Sequence, residues 1–357
     1  MSSNTDETFE GVAAAVGVQT AFGTPNATIA GLDETGSPSL ADGHVLGDAE
    51  SGDAESGITI PNLVGIYRDV AKVAGSYTER ADAFQKADVT GFSIAWVMQG
   101  NGATSTPSVG EADLSVIMPG LEAIFESAGL VGSEGGAGGE QDYNPKSGAN
   151  IYTTWKLWHG DLAFVFSDCL VESLTFECTP GGFVIATANI LIGTFDTSTA
   201  VDGFTFPTID YEEMASMTGP IVEGVAFNWH ETHGFENLSV TIQSEIAKFG
   251  DSNVATTGER QSMTKRVVSV TGTLYVETTD SDDHFQNLIA TAAQIVNLSF
   301  QVGTPSDDPY NAFKIEVNNL QAKDIKYNRV GTALVVELGD SKATSTTAGT
   351  EFQLTMN

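Results

Sequence analysis

Apolar and polar side chains alternate along several segments of the chain, with the period of two that is typical of a strand buried on one face. The segment "VTGFSIAWVM", residues 89–98, places four large apolar side chains on one face: Phe92, Ile94, Trp96 and Met98. The segments "TTWKLW" and "LAFVFSD", residues 153–158 and 162–168, show comparable patterns. The alternation therefore predicts a mainly β protein.

The segment "VESLTFECTPGGFVIATANILIG", residues 171–193, predicts a long β-hairpin. Its first strand directs three apolar side chains to one face: Leu174, Phe176 and Cys178. At the turn, Pro180 suits the second position of a type II turn and Gly181 the third, where the positive φ favours glycine; Gly182 follows. The return strand, residues 183–192, is apolar on both faces, so we expect it to be covered on two sides.

One segment has a helical period instead. In "MPGLEAIFESAGL", residues 118–130, four apolar side chains fall at i, i+3, i+4 and i+7: Leu121, Ile124, Phe125 and Ala128. Pro119 suits the first turn of a helix and Gly129 suits its C-terminal end. The pattern predicts a short amphipathic helix, and the glycine-rich segment 132–148 after it predicts a loop.

The same order of patterns recurs in the second half of the chain. A strand pattern at 267–278, a helix pattern at 281–294 and a strand with a hairpin at 313–340 follow their counterparts at offsets of 181, 164 and 151 residues. The offsets shrink because the first copy has longer loops. We interpret this as an internal duplication. Chance recurrence is the alternative, because the order of elements alone is a weak fingerprint.

The duplication suggests a division of the chain. We predict an acidic, glycine-rich N-terminal arm with loops at 1–60, a first copy at 61–195, a connector at 196–217 and a second copy at 218–357. Residues 1–60 contain ten acidic residues and no Lys or Arg, and only "GVAAAVGVQTAF" stands apart there as an apolar segment.

Charge excludes two classes of function. The chain has 357 residues, 47 of them acidic and 15 basic, for a net charge of -32. Binding to phosphate or to an anionic membrane depends on Lys and Arg, so we exclude nucleic-acid-binding and membrane-surface proteins. The N-terminus lacks a signal-peptide pattern, and no segment reaches the roughly 18 apolar residues of a membrane span. We expect synthesis and folding in the cytoplasm.

Motifs of phosphate loops, dinucleotide folds, nucleophile elbows and zincin helices do not occur in the sequence. His230 and His233 follow a strand pattern, which would direct them to opposite faces rather than to one metal ion. Three acidic residues lack the glycine and distant glutamate of a calcium loop and suit a helix start instead: Asp280, Asp282 and Asp283. Cofactor and metal sites are therefore not predicted.

Three weaker candidates stay open as alternatives. Trp155 and Trp158 suit either a carbohydrate platform or the core. Cys169 and Cys178 lack metal-ligand spacing, and we expect buried, reduced thiols rather than a disulfide. Paired carboxylates are possible among so many acids, but none lies beside a hydrolase signature, so we predict no enzymatic activity.

Several phrases resemble the major tail tube proteins of long-tailed bacteriophages. They are "VGVQTAFGTP", "GLEAIFESAGL", the hairpin at 171–193, and "VEGVAFNWHETHGFENLSVTIQSEI" with the segment 260–292 that follows it. The resemblance implies a β-sandwich or partial barrel with short flanking helices, whose sheets join neighbouring units into a ring. This chain would carry two such units in tandem.

The resemblance also implies a function and partners. Rings of the protein would stack into a hollow tube in the virion, through which phage DNA passes without being bound. Two units per chain favour a trimeric ring acting as a pseudo-hexamer, with a hexamer as the alternative. The tape measure protein and a tail terminator or distal tail protein would be further partners, and no membrane or cofactor is implied.

Carboxylates on the lining of such a tube would repel DNA phosphates and keep the DNA mobile. The candidates for lumen or rim positions are acidic residues on the hairpin strands: Glu172, Glu177, Glu316 and Glu337. They could equally keep an outer face soluble. The alternative function is a secreted or surface β-rich binding module of a salt-adapted microbe, for which strong acidity serves solubility.

Overall fold

The structure is a computed structural model. It describes residues 12–30, 44–47, 58–59, 63–70, 81–89, 91–98, 119–134, 141–146, 148, 150–159, 162–180, 184–197, 217–224, 234–251, 259–275, 295–302, 313–321, 326–344 and 349–356.

These residues form two helices and a long series of strands. The helices are α1 (Ala27–Ala30) and α2 (Pro119–Ser127). The strands are β1 (Val12–Val18), β2 (His44–Gly47), β3 (Leu63–Val70), β4 (Ala81–Val89), β5 (Phe92–Val97), β6 (Leu130–Glu134), β7 (Gln141–Pro145), β8 (Thr153–His159), β9 (Leu162–Cys178), β10 (Val184–Leu191), β11 (Thr194–Thr197), β12 (Met217–Gly224), β13 (Phe235–Gly250), β14 (Glu259–Tyr275), β15 (Ile295–Val302), β16 (Phe313–Gln321), β17 (Lys326–Val330), β18 (Ala333–Ala343) and β19 (Phe352–Met356).

The protein is mainly β, as the alternating patterns predict. Seventeen of the described strands are connected in one antiparallel sheet that curls into a half-barrel, and β3 and β4 form a separate pair. A single cluster of buried apolar side chains includes residues of both halves of the chain. The coarse fold expectation, a β-rich partial barrel with short helices, is therefore confirmed.

The predicted hairpin is present. Leu174, Phe176 and Cys178 on β9 are buried, whereas Glu177 is exposed. Strand β9 is continuous through both predicted segments, 162–168 and 171–178, and its last residue lies opposite the first residue of β10. Pro180 is exposed at the turn. Gly181 and Gly182 lie outside the described residues, so the type II turn stays a prediction.

The expectation for the return strand is wrong. The side chains of β10 alternate between buried and less buried, and its buried members are Val184, Ala186, Ala188 and Ile190. Asn189 on the other face is exposed. β10 lies within the sheet between β5 and β9, so its backbone is covered on two edges but its side chains on one face only. Central position in a sheet does not require two buried faces.

The predicted helix is confirmed as α2. All four side chains of its apolar stripe are buried: Leu121, Ile124, Phe125 and Ala128. Gly129 follows with a φ of 81°, the left-handed conformation that commonly ends a helix. Its backbone NH donates to the carbonyl oxygen of Glu126 at 2.9 Å. The stripe packs α2 against β1, β6 and β9.

The predicted loop at 132–148 is wrong in part, because β6 and β7 form a hairpin there. Gln141 and Tyr143 are buried and their neighbours are not, which is the period of a strand. The sequence prediction gave more weight to the glycines of this segment than to the alternation of side chains over the five residues of β7. β7 also pairs with β19, so this hairpin links the first half of the chain to its C-terminal strand.

Two predicted segments have few or no described residues. The second helix, 281–294, lies outside them, and so does most of the connector, 196–217. The apolar segment near the N-terminus is strand β1, with Ala14 and Val16 fully buried and β8 as its partner. The division of the chain at 60, 195 and 217 stays a prediction.

The strands of the two halves pair according to the same plan. In the first half β1 pairs with β8, β8 with β9, and β9 with both β10 and β11, while β10 also pairs with β5. In the second half β12 pairs with β15, β15 with β16 and β16 with β19, while β17 pairs with β18 and β18 with β14. β16 and β17 together take the place of the long β9.

Local irregularities recur at the same places in this plan. Asp168 on β9 and Asn319 on β16 have φ of 54° and 53° and are the described non-glycine residues with positive φ. They are 151 residues apart, which is the offset of the two hairpin patterns. Left-handed backbone costs an ordinary L-residue roughly 1–2 kcal/mol, and Asp and Asn tolerate it best. The recurrence therefore goes beyond element order.

The hairpins β3–β4 and β13–β14 also correspond. Each has a register shift, between Ile66 and Tyr67 in the first and between Glu245 and Ile246 in the second, 179 residues further on. The sequence offset of 181 residues rests on the match of Val89-Thr90-Gly91 with Val270-Thr271-Gly272, so it aligns the strands two residues out of register. A three-residue match carries less information than the position of a bulge, because a bulge constrains both strands.

Candidate assembly surface

The two halves of the chain join edge to edge through β9 and β13. Six pairs of residues lie opposite each other, from Ser173 with Gln243 to Cys178 with Leu238. The buried side chains on both strands form one apolar row: Leu174, Phe176, Cys178, Leu238, Val240 and Ile242. This β9–β13 junction makes a continuous sheet in the order β5, β10, β9, β13, β14, β18 and β17.

Hydrogen bonds from β14 hold the β13–β14 hairpin along the first half. The Gln261 Nε2 donates to the carbonyl oxygens of Asp168 at 2.5 Å and Leu191 at 3.2 Å. The Tyr152 hydroxyl donates to the Gln261 carbonyl at 2.8 Å, and the Met263 backbone NH donates to Asn150 Oδ1 at 3.0 Å. Most of these bonds involve the backbone, so they depend on strand position more than on side-chain choice.

Asp168 anchors the first half beside this junction. Its carboxylate accepts hydrogen bonds from the Gly23 backbone NH at 2.7 Å and from Gln19 Nε2 at 3.4 Å. Its own backbone NH donates to Gln19 Oε1 at 2.8 Å. Burial raises the pKa of Asp168, and the Gly23 NH opposes the shift. With these partners the carboxylate orders a bulge and the chain around Gln19, which is a structural role.

Arg266 on β14 contacts three other segments of the chain. Its Nη1 donates to the carbonyl oxygens of Gly129 at 2.7 Å and Lys146 at 3.2 Å, and its Nη2 lies 3.8 Å from Glu351 Oε1. Burial lowers the pKa of Arg266. A cavity of about 430 Å³ opens beside it, and Glu126 and Lys146 also line it. Charges of both signs meet in this cavity, so it has no clear preference for an anion or a cation.

The counterpart of the junction in the second half is exposed. Four of the five residues of β17 are exposed: Lys326, Asn328, Arg329 and Val330. β17 pairs with β18, and no other described strand pairs with it. In the first half Cys178 and Val184 lie opposite each other, both 1% exposed, whereas at the same place in the second half Leu334, opposite Arg329, is 39% exposed.

The β3–β4 hairpin is the counterpart of the β13–β14 hairpin. Its described strands pair with each other and with no other described strand. Just before β3, Ile58 forms a bridge with Ile94, and the Thr59 backbone NH donates to the Ser93 carbonyl at 2.9 Å. The segment before β3 therefore pairs with β5 in the same register in which β13 pairs with β14.

The polar face of the continuous sheet is rich in hydroxyl and amide groups. The hydroxyls of Thr175 and Thr241 lie 3.2 Å apart across the junction, and Asn189 Nδ2 donates to Ser173 Oγ at 2.7 Å. Glu177 lies on this face opposite Ser239. Uncharged groups thus outnumber carboxylates here, although the sequence predicted an acidic lining.

The structure places the four candidate glutamates differently. Glu177 is exposed, and Glu337 on β18, on the same face of the sheet, accepts a hydrogen bond from Asn328 Nδ2 at 2.7 Å. Glu172 falls at a register shift of β9 and is half-buried. Glu316 on β16 is ion-paired with Lys314. Glu177 and Glu337 are thus brought together on one surface, and Glu172 and Glu316 are not. Their positions at a lumen or rim stay a prediction.

The other candidates from the sequence have structural explanations or lie outside the described residues. Trp155 is fully buried, so the carbohydrate platform is wrong for this residue; the side chain of Trp158 is not described. Cys169 and Cys178 are free and buried, as expected, and burial raises the pKa of Cys178 to about 12. The two histidines and the three aspartates of the metal analysis lie outside the described residues.

Asp168, Gln261 and Arg266 had no sequence signal, because each resembles an ordinary polar strand residue. Within the part of the chain that the structure describes, no group of three or more His, Cys, Asp or Glu side chains is arranged to hold a metal ion. Its helices include none that is long and apolar enough to cross a membrane.

Comparison of the sequence with protein-family models gives no match, and comparison with curated proteins gives none either.

Proposed function

We propose that the chain is a structural virion protein that assembles into stacked rings and so forms the hollow tail tube of a long-tailed phage. The observation that carries this proposal is the β9–β13 junction, where two halves with one strand plan pair edge to edge. A contact between different edges of a repeated unit can be repeated from unit to unit and can close into a ring. The resemblance of several phrases to tail tube proteins supports the same function.

Two units per chain lead to a specific ring. Three chains supply six units, so we favour a trimer that acts as a pseudo-hexamer over a hexamer of chains. The tape measure protein inside the tube and a tail terminator or distal tail protein at its ends are the partners that this function requires. The protein itself performs no reaction and uses no cofactor.

Passage of DNA follows from charge and surface chemistry. A net charge of -32 repels phosphates over the whole molecule. A face with threonine, serine and asparagine side chains around Glu177 and Glu337 offers water and hydroxyl groups, and Lys326 on this face lies opposite the carboxylate of Glu337. DNA beside such a face gains no strong salt-dependent attraction. It can therefore move during ejection.

Electron microscopy of the purified protein at rising concentration tests the proposal. We expect stacked rings of uniform bore with three-fold or six-fold symmetry. Assembly should increase with salt, because raising the salt from about 0.1 M to 1 M shortens the Debye length from about 10 Å to about 3 Å and screens repulsion between acidic copies. A monodisperse monomer at every concentration and salt level contradicts the proposal and is the result expected for a soluble binding module.

A further inference from the structure

We infer that the edge of β17 in one chain pairs, antiparallel, with the segment at Ile58 and Thr59, just before the β3–β4 hairpin, in a second copy of the chain. This contact would repeat between chains what β9 and β13 form within one chain. It rests on the proposed function in one respect, since the second copy is taken to be a neighbour in a ring.

The first step is the position of β17 in the repeated plan. β17 pairs with β18 as the end of β9 pairs with β10, and Arg329 and Leu334 take the places of Cys178 and Val184. β9 has a second neighbour, β13, on its other edge. The corresponding edge of β17 meets no described strand of the same chain. Within the part of the chain that the structure describes, one half of the junction is thus present without a partner.

The second step is the position of the β3–β4 hairpin. Its register shift matches that of the β13–β14 hairpin. The chain continues from β4 into β5, and the corresponding residues of the second half lie within the single long strand β14. β13 uses its outer edge to bind β9 from Leu238 onward, whereas Thr59, at the corresponding place, bonds to Ser93 on β5 and pairs with no other described strand. Within the described residues, this other half of the junction also lacks a partner.

Within one chain the two edges lie far apart along the sheet. β5, which continues the β3–β4 hairpin, and β17 are the two end strands of the continuous sheet, six strand positions apart. At about 4.8 Å per position they are separated by roughly 29 Å along the sheet. The two edges therefore meet when copies join head to tail, which is the heterologous geometry that closes into rings.

Exposure at the β17 end agrees with a covered surface in the assembly. Val330 and Leu334 are 36% and 39% exposed, and they are two of the described large apolar side chains that reach such values. They flank the turn at Gly331, next to the edge in question. Lys326 and Arg329 on the same strand are cations in a strongly acidic chain, and charges on an edge keep monomers from pairing without order.

The register of the junction gives a specific contact. Cys178 lies opposite Leu238 within the chain. The offset of 151 residues brings Cys178 to Arg329, and the offset of 179 residues brings Leu238 to Thr59. Arg329 and Thr59 are both exposed in the single chain. We therefore expect the Arg329 of one chain to lie opposite the Thr59 of the next.

A double variant with Arg329→Cys and Thr59→Cys tests the contact by mild oxidation of assembled protein. We expect most of the protein to move from the monomer band to dimer and trimer bands on a non-reducing gel, and to return to monomer with reductant. The native thiols are buried and should not contribute. Dimers formed by either single variant alone would indicate that like edges meet, which overturns the inference.

A matched control uses the junction inside the chain. Glu177 and Ser239 lie directly opposite each other, so Glu177→Cys with Ser239→Cys should form an internal disulfide in the monomer. Rings without a bond between the Arg329→Cys and Thr59→Cys positions overturn the inference and leave the proposed function standing. The bond in small closed oligomers that never stack supports the inference and contradicts the tube. If the protein forms neither rings nor the disulfide between chains, both the inference and the proposed function are contradicted.

Discussion

The hairpins β9–β10 and β17–β18 occupy the same place in the two halves of the chain but have different surroundings. β9 has strands on both edges and buries Phe176 and Cys178 completely or almost so. Among the described strands β17 pairs with β18 alone, and its residues are mostly exposed. Each half therefore determines how its own strands pair, whereas the strand on the next edge determines whether the hairpin is buried. A covered edge and an exposed edge of one plan show both states of the same contact.

The residues at these positions differ in the way that the surroundings require. Tyr327 stands at the place of Phe176, and Arg329 at the place of Cys178. Tyrosine and arginine combine an apolar body with a polar end, so they tolerate water in the single chain and can still pack against a partner. We use this comparison to order four predictions by the size of the effect.

The largest difference should come from Phe176→Ala and Tyr327→Ala. Phe176 is fully buried and stacks on Phe352 with ring centroids 6.1 Å apart. We expect its removal to lower the free energy of unfolding by about 3–5 kcal/mol because a cavity remains. Removal of the half-buried Tyr327 should cost about 1 kcal/mol in the monomer. Urea unfolding at low protein concentration measures both, and equal losses would remove the distinction between the hairpins.

The next difference concerns the two left-handed residues. Asp168→Ala and Asn319→Ala should each cost roughly 1–2 kcal/mol, because alanine tolerates positive φ poorly. Asp168→Ala should cost about 1–3 kcal/mol more, since it leaves the Gly23 NH without its acceptor. Thermal unfolding measures the losses. Asp168→Gly and Asn319→Gly are the controls. Glycine adopts positive φ without strain, so these variants lose the side-chain hydrogen bonds but not the backbone conformation.

A smaller difference is expected at the hairpin ends. Val184→Thr places a hydroxyl in the covered end of the first hairpin and should cost about 1–2 kcal/mol. Leu334→Thr at the same place in the second hairpin should change the free energy of unfolding of the monomer by no more than about 0.5 kcal/mol. Should Leu334→Thr prove the more costly, the second hairpin is covered in the monomer. A loss of assembly in Leu334→Thr with stability unchanged would sharpen the comparison.

The smallest effect is a pH dependence at Asp168. Burial raises its pKa in the folded chain, so the folded state holds the proton more tightly than the unfolded state does. Its contribution to stability is therefore complete at low pH and falls as the pH rises through the folded pKa. Asp168→Asn keeps an acceptor and does not titrate. The stability of the wild type relative to this variant should decrease as the pH rises from the usual pKa of an aspartate, about 4, through the raised pKa of the folded chain.

Much of the fold could be predicted from local periodicity. The apolar stripe of α2, the alternation on β5 and the first strand of the hairpin all follow from side chains a few residues apart. The β6–β7 hairpin was missed because glycines dominate the composition of that segment. The second face of β10 was assigned wrongly because its apolar side chains, such as Ile185, gave no indication that one layer alone covers the strand.

The assembly surface depends on information that local patterns lack. Pairing of β9 with β13 joins residues 60 to 70 positions apart, and either strand pattern fits several neighbours. Asp168 has the appearance of a polar strand residue until its backbone conformation is known. The sequence predicts a duplication from the order of elements, whereas the register of the two halves is indicated by the bulges and the two left-handed residues.

In the proposed ring, two units per chain joined by the β9–β13 junction have a consequence for counting. Any closed ring made from such chains contains an even number of units, so five-unit and seven-unit errors are excluded by covalent structure. Half of the contacts around the ring also form during folding of each chain, where a linked partner is present at an effective concentration of about millimolar. Only the alternate contacts then depend on how much protein the cell has made.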